Sequence, residues 1–195
     1  MRLLDILRCI NNFDVPVYIL PESELQSKKY CYAIVIPTDK LASFRGATKP
    51  NSFKDTGVYI IDCDLDVFYS ENKSSNFEGI TQIEKIISDN FDNSEKEYIL
   101  AFAVFSLLHE IGHIRHLQES KMSYEEYFNA YQKDWDDIYR EYLFMCKLYG
   151  TSQERLKAVN QIYGEEYRQH AFESYADNFA LEHFEKCMQK LRDMS

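Results

Sequence analysis

The run LLHEIGHIRHLQES, residues 107 to 120, sets two histidines and a glutamate in an otherwise apolar stretch. On a helix, His109 and His113 stand one turn apart on one face, so two imidazole nitrogens can converge on a single metal ion at about 2.0 to 2.1 Å. Glu110 is rotated by about 100° from His109, too far round to ligate the same ion but near enough to reach a water bound to it. The spacing HExxH therefore supplies ligand, general base and ligand, and a metal that lowers the pKa of its water toward about 7 lets the carboxylate finish the activation. The alternative is a pair of buried histidines satisfied by backbone carbonyls. Three polar side chains in an apolar helix carry a desolvation cost that a metal, here zinc, would offset.

A catalytic zinc needs a third protein ligand and an open fourth position. The segment HAFESYADNFALEHF, 170 to 184, places Glu173 and Asp177 one turn apart, so both can face the same neighbouring helix. Glu173 would complete a His, His, Glu set, and Asp177 would accept the second ring N–H of a ligand histidine, fixing its tautomer. Ala176 and Ala180 are small enough to let that helix come close. His116 lies near the face of His113 but would have to reach back along the helix to ligate. The longer metzincin pattern requires a glycine at 116 and a histidine at 119; this chain has His116 and Glu119, which excludes that class. His170, Tyr167 or Tyr163 could donate to a developing oxyanion, with a structural role the plainer expectation for each. His183 is expected to be exposed.

These residues need elements to hold them. Leu3, Leu4, Leu7 and Ile10 have the one-face spacing of a short opening helix that ends near Asn11. VPVYIL (15 to 20), YCYAIVIP (30 to 37) and GVYIIDC (57 to 63) read as strands of one small sheet. Between the last two lies a long polar loop, 41 to 56. From Ser70 to Ser94 the chain reads as loop with a brief helix at about 80 to 89. Ser94 and Glu97 form a capping box that opens a helix over about 95 to 118, apolar on every face through Leu108 and hence buried centrally. Ser123 and Glu126 repeat the box before a helix to Gly150, whose Tyr124, Tyr127, Phe128, Tyr131, Trp135, Ile138, Tyr142 and Tyr149 form an aromatic stripe read as core. Thr151 and Glu154 open a shorter helix ending near Gly164, and a last helix spans about 165 to 192. The expected fold is α+β: one mainly helical domain over 1 to 195, with a small, mostly antiparallel N-terminal sheet packed on a buried active-site helix.

A chain of 195 residues suits a single domain with a sizeable core. Its formal net charge of -10 argues against a nucleic-acid surface, which needs clustered Lys and Arg. The five cysteines are an odd number without a CxxC pair, which suits packing residues in a reducing compartment. Asp5 and Arg8 interrupt the apolar N-terminus, and the apolar run 98 to 108 is too short to span a bilayer, so a cytoplasmic protein without a membrane segment is expected.

HEIGH on an apolar helix, followed by ESYADNFALEHF, resembles the ImmA/IrrE family of metallopeptidases, and GVYIIDC is similar to the strand those proteins place before the active-site helix. The resemblance implies a zincin-like fold in which His109, His113 and Glu173 bind zinc, Glu110 is the catalytic base and Asp177 supports a ligand histidine. Family members have a gluzincin-like site, and several cleave a helix-turn-helix repressor encoded beside them on mobile elements. It implies a cytoplasmic protein substrate, a transcriptional repressor among the candidates. The interval between His113 and Glu173 is longer than is usual there, the excess being the aromatic helix. A different reading makes the chain a non-catalytic acidic interaction module with a structural or vestigial metal site. A small-amide hydrolase ranks third.

Overall fold

A computed structural model describes residues 1–20, 31–34, 56–73, 80–91, 97–150 and 152–194. Outside them lie Ser94, Thr151, the loop read at 41 to 56 apart from Thr56, and the flanks of the second predicted strand. The elements are α1 (Leu3–Ile10), β1 (Val17–Leu20), β2 (Cys31–Ile34), β3 (Gly57–Ile61), α2 (Leu65–Lys73), α3 (Ile80–Asn90), α4 (Tyr98–Ser120), α5 (Tyr124–Tyr149), α6 (Gln153–Gln169) and α7 (Ala171–Arg192). Helix dominates, as expected.

The sheet corrects an expectation. Its order is β1-β3-β2, with β1 parallel to β3 and β2 antiparallel to β3, so it is mixed rather than mostly antiparallel. Chain neighbours β1 and β2 do not pair, because β3 lies between them. Every residue of β3 is buried, and a strand apolar on both faces takes the centre of a sheet.

α4 runs through the middle of the molecule. Ala101 to His109 are all buried, since apolar side chains on every face leave it no solvated side. It packs against α7, the sheet, α1, α2 and α3. At its crossing with α7, a Cβ on Gly112 would lie 2.9 Å from the Cα of Ala176 and 3.1 Å from its carbonyl oxygen. Hydrogen at that position is what lets the two backbones touch.

Two helix boundaries differ from expectation. The segment 65–73, read as loop in its second half, forms α2: Phe68 is buried and Tyr69 sets its ring edge against Phe102. One deeply buried side chain in nine residues leaves little periodicity to read. α6 also runs through Gly164, which is buried, and stops only at His170. There the backbone turns extended (φ -55, ψ 137), and the ring Nδ1 accepts from the N–H of Phe172 at 3.3 Å, capping α7. The Ser123/Glu126 box does open α5, with Glu126 N–H donating to Ser123 Oγ at 3.3 Å and Ser123 N–H to Glu126 Oε2 at 2.8 Å.

The aromatic stripe of α5 joins no single core. Trp135 packs with Val159, Tyr163 and Tyr167 in a cluster of the α5–α6 pair, and Tyr127 packs with Leu117 and Phe172 in another. Outside those contacts Phe144 and Leu148 are exposed. Of the described cysteines, Cys9 and Cys187 are buried in the main core. No helix among the described residues is long and apolar enough to cross a membrane.

Candidate metal centre

The break at His170 gathers the site. It turns the chain so that the last turn of α6, with Tyr167 and Arg168, and the first two turns of α7, with Glu173 and Asp177, face α4 together. Glu173 lies in the first turn of α7, where the helix dipole favours a carboxylate, and Arg168 in the last turn of α6, where it favours a cation.

His109, His113 and Glu173 form a buried group able to hold a metal ion. His109 Nε2 lies 3.2 Å from His113 Nε2 and 3.2 Å from Glu173 Oε2, and His113 Nε2 lies 3.5 Å from Glu173 Oε1. Bonds of about 2.0 to 2.1 Å at a tetrahedral ion put ligand atoms about 3.3 Å apart, so the spacing fits zinc without rearrangement. The ligand set alone would accept other divalent ions. His109 Nδ1 lies 2.8 Å from Asp177 Oδ1, so its N–H is spent there and its Nε2 lone pair faces two other acceptors. Acceptors converging on one point in a buried site call for a cation between them.

Electrostatics point the same way. Burial and the Arg168 cation act to lower the pKa of His109, but its bonds to Asp177 and Glu173 outweigh them and raise it to about 9. Burial pushes His113 down to about 4, keeping a neutral imidazole with a free lone pair. Burial acts to raise Glu173, yet the facing histidines and Arg168 hold it well below the usual carboxylate range. Without a metal, one proton on His109 takes the place of the positive charge. With both histidines neutral, Glu173 and Asp177 against Arg168 leave the cluster net negative, which a bound cation offsets.

Glu110 is half-buried on the next face of α4. One and two turns further along that face, Ile114 and Leu117 line a cleft of about 420 Å³ together with Lys121, which caps the end of α4, opposite Pro16, Thr56 and Tyr124. The other candidates are engaged elsewhere. His116 Nδ1 is 3.0 Å from the Tyr127 hydroxyl, and its ring stacks on Tyr175 at 4.3 Å. His170 spends Nδ1 on its cap and sets Nε2 3.2 Å from Asp134. Tyr163 packs in the Trp135 cluster, and Tyr167 donates to Glu173 Oε1 at 2.6 Å. His183, expected to be exposed, is half-buried between Phe13 and Phe179.

Three residues of the site were not foreseen. Gly112 sits at the helix crossing. Tyr131, on the aromatic helix, donates to Glu173 Oε1 at 3.2 Å. Arg168 donates to Asp177 Oδ1 at 2.9 Å, and the same nitrogen is 3.3 and 3.5 Å from the two ring nitrogens of His109. That near-equality puts the guanidinium over the imidazole face, since in the ring plane Cε1 would block it; the contact is a stack rather than a hydrogen bond. EEYRQH reads as a run of surface charges, and no local spacing marks Arg168, because its partner Asp177 lies on the next helix.

Compared with known proteins, the chain matches no protein-family model, no curated protein and no solved structure.

Proposed function

We propose that the chain is a zinc-dependent endopeptidase with a gluzincin-like site. The observation that carries the reading is the convergence of His109 Nε2 and His113 Nε2, 3.2 Å apart, on the Glu173 carboxylate, Oε2 lying 3.2 Å from the first and Oε1 3.5 Å from the second, with a glutamate next to the first ligand on the same helix. A zinc ion held there would polarise the scissile carbonyl and acidify a water. Glu110 would take the proton of that water on a carboxylate oxygen and return it to the leaving amide nitrogen. Asp177 Oδ1 holds the His109 Nδ1–H, so Nε2 stays a lone-pair donor, and Arg168 holds Asp177 in place. No oxyanion role is assigned to His170, and Tyr167 is spent on Glu173.

The substrate would be a protein segment lying in the cleft beside Ile114 and Leu117, on the side of α4 that carries Glu110. Pairing of an extended substrate with β3 is blocked because β3 already has a partner on each side. The resemblance to the ImmA/IrrE family supports a cytoplasmic regulatory protein, a repressor among them, as the substrate. The exposed Phe144 and Leu148 favour a second reading, an interaction module that recruits a partner without cutting it.

The test uses the Glu110→Gln variant with a library of unstructured peptides, cleavage being read by mass spectrometry. The expected result is a zinc content equal to that of the wild type and no cleavage. Equal cleavage by the variant sinks the mechanism, and a wild type that binds zinc but cuts no peptide or partner favours the second reading.

A further inference from the structure

The two oxygens of Glu173 are used differently. Oε2 faces His109 Nε2 at 3.2 Å, whereas Oε1, 3.5 Å from His113 Nε2, accepts from the Tyr167 hydroxyl at 2.6 Å and the Tyr131 hydroxyl at 3.2 Å, the two hydroxyls standing 3.2 Å apart. Tyr167 comes from α6, next to the site in sequence; Tyr131 comes from the middle of α5. One turn earlier on α5, Tyr127 donates to the backbone oxygen of His113 at 3.3 Å. α5 thus touches both ligand-bearing helices with hydroxyl groups, and aromatic packing around Phe172 adds to these contacts.

We propose, on the reading that the site binds zinc, that Tyr131 and Tyr167 are positioning residues that reserve Oε1 and so leave Oε2 as the single carboxylate ligand. Through Tyr131 they couple docking of the α5–α6 pair to the metal. A carboxylate with both oxygens free can swing to grip a metal with two, filling the position a catalytic ion must keep open. Two hydroxyl donors on one oxygen oppose that swing and cost nothing in solvation, because Glu173 is 1% exposed and its oxygens need donors. The coupling is reciprocal: if the docked α5 tightens zinc, zinc tightens the docking of α5 by the same factor. The aromatic helix is then a metal-dependent wall of the site.

The molecule carries its own reporter. Trp135, the single tryptophan of the chain, lies one turn beyond Tyr131, its ring 5.2 Å from that of Tyr167. The experiment titrates zinc into the full chain stripped of metal, with a chelator as competitor, and follows Trp135 fluorescence in the wild type, Tyr131→Phe and Tyr167→Phe. Phenylalanine keeps the rings packed and removes only the hydroxyls. The expected result is a saturable fluorescence change in the wild type, zinc affinity weaker by about 10- to 100-fold in each variant, and loss of most of the fluorescence change in Tyr131→Phe. With cobalt in place of zinc, the visible absorption of the wild type should have four-coordinate strength and weaken in Tyr167→Phe as the second oxygen joins.

Wild-type affinity in both variants, or an unchanged cobalt spectrum in Tyr167→Phe, overturns this proposal and leaves the peptidase reading standing. A wild type that binds no zinc overturns both. Should Tyr131→Phe fail to fold, Tyr167→Phe carries the affinity and cobalt tests alone.

Discussion

The α4–α7 crossing and the α5–α6 pair are both helix pairs, and they are built on opposite principles. The first closes on Gly112 and Ala176, so its backbones touch and short side chains such as His109 and Glu173 meet across it. The second is spaced by Trp135, Tyr142, Tyr163 and Tyr167, whose bulk holds the helices apart and leaves an outer face with Phe144 and Leu148 in solvent. A metal set made of short side chains needs the close crossing. The aromatic pair reaches the same site only with its long phenol groups.

The largest effect should come from breaking the close crossing. Gly112→Val places branched carbon against the Ala176 backbone, which cannot yield as a side-chain tip could. Overpacking of this kind costs about 1–3 kcal/mol in chemical denaturation. Zinc affinity should fall with it, because Glu173 moves away as α7 is pushed off. A variant with wild-type stability and zinc binding would show that the crossing is looser than the structure has it.

Arg168→Gln leaves both helix pairs intact and removes the cation that holds Asp177. Zinc affinity measured by chelator competition should drop about tenfold or somewhat more, with little change in melting temperature. An unchanged affinity would reduce Arg168 to a charge partner with no part in orienting His109.

The metal-free site also makes a pH prediction. The pKa of His109 is raised from 6.5 to about 9, so its protonated form contributes stability that is complete below pH 6.5 and lost as pH rises through about 9. Zinc replaces that proton. The melting temperature of the metal-free protein should therefore fall between pH 6.5 and 9, while that of the zinc-loaded protein should hold in the same window. A parallel fall in both would place the proton elsewhere.

The smallest effect belongs to the outer face of α5. Phe144→Ser, at a side chain 64% exposed, should change unfolding free energy by less than about 0.5 kcal/mol and leave zinc binding untouched. A large loss of stability would mean that this face is covered in solution.

What could be read before the fold was known follows the range of the interactions. His109, Glu110 and His113 are legible because one helical turn sets their geometry, and Glu173 with Asp177 for the same reason on α7. Burial of α4 is legible because its apolar residues leave no face for water. The central place of β3 was not, since strand pairing depends on long-range contacts that leave no local mark beyond its double-sided apolar pattern. Tyr131 and Arg168 were hidden for a related reason. Each looks ordinary along its own helix, one as a stripe residue and one as a surface charge, and only the turn at His170 and the docking of α5 bring them to the site. The break at His170 was itself masked by Gly164, the stronger helix-ending signal, which the fold uses within α6 instead.

The measurement that tests the central claim most directly is the metal content of the purified full chain by elemental analysis, with His109→Ala and Glu173→Ala alongside. The account predicts close to one zinc per chain in the wild type and much less in both variants. A wild type that takes up no metal when zinc is supplied, or variants that hold as much as the wild type, would contradict it.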